Sequence, residues 1–176
     1  MRTAPVLVVF DLDACCWFPE MYMLWGGGAP FRVVHKTNTL LDARGTSVRL
    51  LADVRECFAH LHTAMSNDEP LVAAIASRSD EPAWARECLA KFEVKPGVAM
   101  ADVVPERLTE IYKGSKVRHL QELQRKTNVP FSRTCFFDDD PSNVADVSAL
   151  GVHCFLTPKG VTRALFERGL EAARRG

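Results

Sequence analysis

Continuous apolar runs alternate with amphipathic helical patterns along this chain, and this alternation constrains the fold more than any other feature. The runs have the length of strands, and an uninterrupted apolar run is typical of a strand covered on both faces. Strands are predicted at Val6–Phe10, Leu71–Ala76, Val98–Met100, Thr134–Phe137 and Val152–Leu156. Because strands that alternate with helices form parallel sheets, the sequence predicts an α/β fold, a three-layer Rossmann-like parallel sheet with helices on both faces.

Helical patterns fill the gaps between these strands. One apolar stripe, with spacings of three and four residues, comprises Leu51, Val54, Phe58, Leu61 and Met65. Further helices are predicted to begin at Pro82, after Ser115 and at Pro141, where a proline or a capping hydroxyl occurs, and a last helix is predicted at 161–174. These assignments place a helix between each pair of successive strands.

Residues 14–49 depart from the alternation. They contain the glycine-rich run Gly26–Gly28 and two short strand-like pieces, Phe31–Val34 and Thr39–Leu41. We therefore expect a small insertion after the first strand, instead of a large cap, within a single domain that spans residues 1–176.

Composition excludes several classes of protein. The chain has 176 residues, 47% hydrophobic and 25% charged, which is typical of a globular protein that can bury a core without disulfides. Its 22 basic residues equal its 22 acidic residues, which disfavours a nucleic-acid partner. No apolar run approaches the roughly 18–20 residues of a membrane span, and the N-terminus has no leader pattern. We expect no membrane partner, and the oligomeric state is open.

The cysteines indicate a reducing compartment. They form no C-x-x-C pair and no zinc-like spacing with histidines; they are Cys15, Cys16, Cys57, Cys88, Cys135 and Cys154. The sequence thus favours reduced thiols and a cytoplasmic location. The adjacent pair Cys15–Cys16 leaves two readings open, a redox-sensitive site and, as the favoured alternative, two inert buried thiols.

Polar residues follow three of the predicted strands. Asp11-Leu12-Asp13 follows the first, Ser77-Arg78-Ser79 the second and Asp138-Asp139-Asp140 the fourth, while Lys116 begins the helix before the fourth. The carboxyl ends of parallel strands meet at one edge of a sheet, where ligands bind. Each feature alone has a structural explanation, such as a turn or a helix cap. Together, in this order, they indicate one functional site.

The residue types at this edge predict phosphoryl transfer. Crowded carboxylates raise one another's pKa values, and a hard cation relieves that conflict. Carboxylate oxygens with room for water and phosphate oxygens suit Mg²⁺ better than Ca²⁺. Lys116 adds positive charge, and Ser77 with nearby backbone N–H groups can hold anionic oxygens. A phosphorylated substrate is the partner that this set predicts.

At these residues the sequence resembles the haloacid dehalogenase superfamily of aspartyl-nucleophile phosphotransferases. The run from Val9 to Asp13 is similar to its first motif; Ser77, Lys116 and the pair Asp138–Asp139 are similar to the second, third and fourth. Cys15 is a departure, because the superfamily usually has Thr or Val there. The expected effect of this thiol is on the rate, since any hydroxyl hydrogen bond at the position would be weakened.

The similarity is closer to the eukaryotic magnesium-dependent phosphatase family. Its signature stretches resemble Ile111–Lys116, Lys126–Ser132 and Phe136–Asp139, and Trp17 falls where that family has a tryptophan. The resemblance covers nearly the whole chain and is poor only from residue 16 to residue 49. It implies a hydrolase, a magnesium-dependent phosphomonoesterase.

The resemblance also implies a role for each site residue. Asp11 would attack phosphorus and form an aspartyl-phosphate, and Asp13 would act as general acid and then as general base. Metal ligation would come from Asp11, Asp139 and the backbone carbonyl of Asp13, with Asp138 ligating or orienting. The implied phosphate-binding residues are Ser77 and Lys116, and Arg78 is a candidate for a further contact.

Substrate and rival functions are open at this stage. A short insertion leaves the crevice uncovered, and the resemblance implies either phosphotyrosine-type phosphoproteins or small sugar phosphates such as phosphorylated ketoamines. Trp17, Tyr22 and Trp25 either line the entrance or pack the insertion onto the sheet. The alternative function is a non-catalytic phosphatase-like or receiver-like phosphate-binding signalling module. A cysteine phosphatase is disfavoured, because no cysteine has an arginine six residues later.

Overall fold

Within residues 4–176, which the computed structural model describes, five parallel strands form the central sheet. Residues 1–3, part of the N-terminus searched for a leader, lie outside the described residues. The strands are β1 (Val6–Phe10), β2 (Trp17–Phe18), β3 (Arg32–Val34), β4 (Thr39–Leu41), β5 (Ser47–Leu50), β6 (Leu71–Ser77), β7 (Glu93–Lys95), β8 (Val98–Ala99), β9 (Thr109–Ile111), β10 (Thr134–Asp138) and β11 (His153–Leu156). The central sheet has the order β11-β10-β1-β6-β9.

The helices are α1 (Val54–Ser66), α2 (Pro82–Lys91), α3 (Met100–Val103), α4 (Lys116–Thr127), α5 (Pro141–Ser148) and α6 (Arg163–Arg175), with short 3₁₀ turns at Met21–Leu24, Glu106–Leu108 and Phe131–Arg133. The predicted helix starts at Pro82, Ser115 and Pro141 are confirmed. None of the helices described between residues 4 and 176 has both the length and the apolar character that a bilayer crossing requires.

Two apolar layers enclose the central sheet. On one face, the ring of Phe10 lies 4.7 Å from that of Phe58 in α1 and 6.4 Å from that of Phe166 in α6. On the other face, Val9 belongs to a buried cluster with Leu120 of α4. Burying each such side chain stabilises the fold by roughly 1.5–3 kcal/mol. The predicted three-layer α/β fold is therefore confirmed, and β1 lies at its centre between β6 and β10.

The predicted third strand was wrong. Val98–Ala99 pairs with β7 in a separate two-stranded hairpin, and the third strand of the central sheet along the chain is β9. β9 was not predicted because it is not a continuous apolar run. Its middle residue, Glu110, is buried and forms an ion pair with Lys126. The apolar residues near Val98 instead flank Gly97, whose positive φ of 74° makes the hairpin turn.

The insertion is an antiparallel sheet of order β2-β5-β4-β3, and both short strands expected there are confirmed. Its inner side buries Trp17, Met21, Leu40 and Val48. The turn between β4 and β5 closes on the buried carboxylate of Asp42, which accepts hydrogen bonds from the backbone N–H groups of Gly28 (3.0 Å), Arg44 (2.9 Å) and Thr46 (2.7 Å). The insertion therefore has its own polar anchor as well as an apolar side.

Candidate active site

Three carboxylates meet where β1 and β10 end. The two strands are neighbours with Phe10 opposite Phe137, so the residues that follow these positions lie side by side. Asp11, Asp138 and Asp139 each place one carboxylate oxygen within 4.8 Å of the others. The first two are buried and Asp139 is half-buried. Residues separated by more than 120 positions thus form one acidic cluster.

Lys116 binds this acidic cluster from the start of α4. Its Nζ lies 2.5 Å from Asp11 Oδ1 and 3.1 Å from Asp138 Oδ2, and it also donates to the Ala76 carbonyl at 2.5 Å. Burial acts to lower the pKa of Lys116, but the charges of Asp11 and Asp138 outweigh it and raise that pKa. The side chain therefore stays an ammonium group, placed by a helix that begins where the Ser115 hydroxyl accepts from the N–H of Arg118 at 3.2 Å.

The acidic cluster carries more negative charge than Lys116 offsets. Burial, and then the charge of Asp11, raise the pKa of Asp139 to about 7, and the same causes raise the pKa of Asp138. Carboxylate oxygens are hard ligands, and Mg²⁺ is the cation that a few carboxylates with space for water and phosphate oxygens prefer. These residues therefore fit a magnesium ion.

Asp138 is held by more donors than the sequence suggested. Besides Lys116, the N–H of Asp140 donates to Oδ1 at 2.8 Å, and the amide of Asn143 lies 3.3 Å and 3.1 Å from the two oxygens. Sequence reasoning missed Asn143. The available signal was its place in the first turn of α5, two residues after Pro141, because that turn begins at the functional edge of the sheet.

Asp13 lies beside the acidic cluster and is not part of it. Its carboxylate is not among the three clustered groups and instead accepts a 2.8 Å hydrogen bond from Trp17 Nε1. Ala14, with a positive φ of 61°, makes the tight turn that returns the chain to Trp17, whose carbonyl accepts from the N–H of Ala14. Burial raises the pKa of Asp13 to about 6. Asp13 is thus a separate, half-buried acid beside the cluster.

The remaining predicted residues lie on a cleft above the cluster. Ser77 is buried at the end of β6, where its hydroxyl accepts from the N–H of Ser79 at 3.2 Å, and Arg78 is exposed. The cleft has a volume of about 350 Å³ and is lined by Asp11, Asp13, Glu20, Tyr22, Ser77, Arg78, Ser79, Asp80, Lys116, Asp139, Asp140 and Asn143. Every predicted site residue except the fully buried Asp138 lines it, and sequence reasoning missed Glu20 and Asp80.

The three aromatic residues of the insertion have different environments. Trp17 is fully buried and stacks on Phe92 at 5.9 Å, so it packs the insertion onto the core. Tyr22 is 58% exposed and lines the cleft. Trp25 is 81% exposed and is not among the cleft-lining residues. Of the two readings left open, packing applies to Trp17 and lining applies to Tyr22.

Cys15 is a buried thiol rather than a candidate nucleophile. Its Sγ donates to the Phe137 carbonyl at 3.5 Å and accepts from the Thr157 hydroxyl at 3.2 Å, so its partners do not include a histidine. Cys16 is equally buried, and burial raises the pKa of its thiol. Both observations favour two inert thiols over a redox-sensitive site.

Comparisons with known proteins identify related phosphatases and hydrolases. A family model described as acid phosphatase matches residues 3–176. The human protein "Magnesium-dependent phosphatase 1" is 35% identical over 173 residues, covering 97% of this chain and 88% of the human one. The fission yeast (Schizosaccharomyces pombe) "HAD-like hydrolase superfamily protein P8B7.31" is 26% identical over 155 residues, covering 84% and 83% of the two chains.

A solved structure has the same fold. It is the N-terminal part of the protein BF1531 from Bacteroides fragilis, which contains a phosphatase domain complexed with Mg. The TM-score is 0.58 at 13% identity, and the match covers 97% of this chain and 41% of the other. The match of the family model to nearly the whole sequence, together with the human relative, shows that the chain belongs to the acid phosphatase family of haloacid dehalogenase-like phosphatases.

Proposed function

We propose that this phosphatase uses Mg²⁺ and acts on phosphate monoesters through an aspartyl-phosphate on Asp11. The observation that carries the proposal is the acidic cluster of Asp11, Asp138 and Asp139 bound by Lys116 at the base of an open cleft. The names of the human relative and of the Bacteroides structure support magnesium as the metal. The proposal takes residues 1–176 as one domain with a small insertion at 14–49.

The donor set decides which residues would hold the ion. Asp11 and Asp139 would provide carboxylate oxygens, and Asp13 would provide its backbone carbonyl. The donors on Asp138 from Lys116, Asp140 and Asn143 favour an orienting role for that carboxylate. When bound, Mg²⁺ would offset the negative charge of the phosphoryl and carboxylate oxygens.

The chain's own residues would carry out two displacements. In the first, a carboxylate oxygen of Asp11 bonds to phosphorus as the ester P–O bond breaks, and Asp13 gives its proton to the leaving oxygen. In the second, water bonds to phosphorus, Asp13 takes its proton, and the Asp11–phosphorus bond breaks to release inorganic phosphate. Ser77 and Lys116 would hold the phosphate oxygens, and Arg78 at the rim would add a further contact.

The substrate classes are phosphotyrosine-type phosphoproteins and small sugar phosphates. An open cleft with an exposed Tyr22 at its rim supports access for a phosphorylated side chain, while its polar walls suit a sugar phosphate. Parallel rates on a phosphotyrosine peptide and on a phosphorylated ketoamine sugar would rank the two. A cytoplasmic location belongs to the proposal and is supported by the six cysteines, all of which lie in the described range and are free thiols.

The test is release of inorganic phosphate from para-nitrophenyl phosphate. We expect release with Mg²⁺, loss of release with EDTA and recovery when Mg²⁺ is restored. Asp11→Asn should abolish release while the thermal unfolding curve stays cooperative, whereas Asp146→Asn, at an exposed position on α5, should keep it. A tenth of the wild-type rate in Asp11→Asn would contradict the nucleophile assignment. Absence of release from the folded wild type would instead favour the non-catalytic phosphate-binding module.

A further inference from the structure

His119 is a buried residue near the site for which the proposed reaction has no role. It lies on α4, three residues after Lys116, and its side chain is inaccessible to solvent. Nδ1 is 2.8 Å from the Ser115 carbonyl oxygen and Nε2 is 3.0 Å from the Tyr112 carbonyl oxygen. The ring also stacks on Tyr112, with centroids 4.3 Å apart. Burial lowers the pKa of His119, and a neutral imidazole has one N–H, so the ring can donate to only one of these two carbonyls, which lie at the two ends of the segment Tyr112–Ser115.

That segment connects the two groups that would hold phosphate. At its start, the N–H of Tyr112 donates to the carbonyl of Ser77 at 3.1 Å. At its end, Ser115 caps α4, and the next residue is Lys116, whose Nζ donates to the carbonyl of Ala76. The fold of this segment, together with the direct contact of Lys116 with the Ala76 carbonyl, therefore sets the distance between the Ser77 hydroxyl and the Lys116 ammonium.

The segment needs an anchor because its backbone is not held by a regular element. Gly114 has a φ of 154°, a conformation that residues with a side chain rarely adopt. The Ser115 carbonyl already accepts from the backbone N–H of His119 at 3.3 Å. By contrast, among the described residues no group other than the His119 ring donates to the Tyr112 carbonyl. The contact to Tyr112 is thus the one that closes the loop.

We propose that His119 is a positioning residue that holds Ser77 and Lys116 at the separation a phosphate group requires, through an Nε2–H hydrogen bond to the Tyr112 carbonyl. Without this bond, the Tyr112 carbonyl is free to rotate, and the start of α4 is no longer fixed to the end of β9. The two phosphate-binding groups then match the phosphate oxygens less well. This inference rests on the proposed function, because it assigns Ser77 and Lys116 to phosphate.

Two substitutions of His119 by amide side chains of different length distinguish the Nε2 contact from the Nδ1 contact. The longer amide side chain in His119→Gln carries its nitrogen to the place of Nε2, whereas the shorter one in His119→Asn reaches only the place of Nδ1. We expect His119→Gln to keep the KM for para-nitrophenyl phosphate and the inhibition constant of inorganic phosphate within about three-fold of wild type, and His119→Asn to raise both by about ten-fold. A purely structural role would change stability without this separation.

The matched control is His153, whose Nε2 lies 3.0 Å from the Ser132 carbonyl at the opposite, amino end of the sheet. His153→Asn should leave both constants unchanged. Thermal unfolding accompanies each measurement, and His119→Phe, which keeps a stacked ring without nitrogens, replaces the asparagine variant if that variant does not fold.

Equal constants for the glutamine and asparagine variants would overturn the inference, and so would a glutamine variant that does not fold. The wild-type enzyme separates this failure from failure of the proposed function. If the wild type releases phosphate with Mg²⁺ while both variants behave alike, only the role of His119 is wrong. If the folded wild type releases none, the proposed function itself fails.

Discussion

Asp13 differs from the other acids of the site in its hydrogen-bond partner. Trp17 donates to it from the insertion, while Asp11 and Asp138 are bound by Lys116. An uncharged N–H donor favours the carboxylate less than an ammonium group does, so burial still raises the pKa of Asp13 to about 6. This difference in partner supports the proposed roles of Asp11 as nucleophile and Asp13 as proton carrier.

Removal of the Asp13 carboxyl should therefore lower the reaction rate most for substrates with poor leaving groups. For Asp13→Asn we expect the rate on an alkyl phosphate to fall by about 10²–10⁴-fold, the usual contribution of a general acid. Para-nitrophenolate leaves without a proton, so its initial release should fall less and appear as a burst while the phosphorylated enzyme accumulates. Stopped-flow absorbance measures the burst.

The control for this experiment is Glu20→Gln, which changes another carboxyl that lines the same cleft. Any change in the rate of Glu20→Gln should be the same for the alkyl phosphate and for para-nitrophenyl phosphate. An equal loss on both substrates in Asp13→Asn would argue against the proton-transfer role.

At the residue scale, the sequence located the acids and the lysine because each directly follows a strand or begins a helix. Asn143 and Glu20 were not located for different reasons. Asn143 reaches Asp138 from inside a helix turn, and Glu20 reaches the cleft through the docking of the insertion. Neither contact follows from periodicity, because both depend on how two elements pack.

At the element scale, the turn between β4 and β5 depends on one carboxylate. Burial acts to raise the pKa of Asp42, but hydrogen bonds from the N–H groups of Gly28, Thr46 and Arg44 outweigh it, and the pKa falls below 3.8. A lowered pKa means that the folded state favours the carboxylate. The stabilisation is therefore present above pH 3.8 and is lost as the pH falls through the lower, folded-state pKa.

Asp42→Asn should lower the free energy of unfolding by about 1–3 kcal/mol near neutral pH, because hydrogen bonds to a charged group are lost. The difference between variant and wild type should shrink as the pH falls below 3.8, where the wild-type carboxylate becomes protonated. Urea unfolding at a series of pH values measures this difference in the free energy of unfolding. Asp146→Asn, which changes an exposed acid, should show no such trend, and a constant difference at all pH values would contradict the assignment.

The elements themselves were predictable where apolar and capping signals were strong. β1, β6 and β10 are buried on both faces, and their apolar runs are continuous. β9 was missed because its carboxylate, Glu110, is compensated by Lys126 from α4, a partner 16 positions away that no local pattern reveals. An edge strand whose buried carboxylate pairs with a partly exposed lysine does not have the continuous apolar run of a central parallel strand.

At the scale of the whole molecule, the fold keeps the thiols apart from solvent. Cys15, Cys16, Cys57, Cys88 and Cys135 are at most 2% exposed, and only Cys154 of the six, all within the described residues, is partly accessible. Burial raises the pKa of Cys154 to about 11, so even this thiol is mostly protonated at neutral pH. We therefore expect the folded molecule to react slowly with thiol reagents.

Iodoacetamide should therefore label the native protein slowly, at Cys154 first, with no loss of phosphatase activity. Peptide mass spectrometry identifies the labelled site, and a urea-unfolded sample, in which all six thiols should react, is the control. Peroxide followed by a reductant should likewise leave the rate unchanged. Early labelling of Cys15 or Cys16 that parallels inactivation would restore the redox hypothesis.

Strand order has a consequence for synthesis of the chain. β1 is made first and is completed by β6 on one side, but its other neighbour, β10, is made only after three quarters of the chain. Asp11 is thus synthesised long before Asp138 and Asp139, with which it forms the acidic cluster. A nascent chain that stalls before residue 138 would carry the proposed nucleophile without Asp138 and Asp139, so under the proposed mechanism we expect no hydrolysis until these residues have been made.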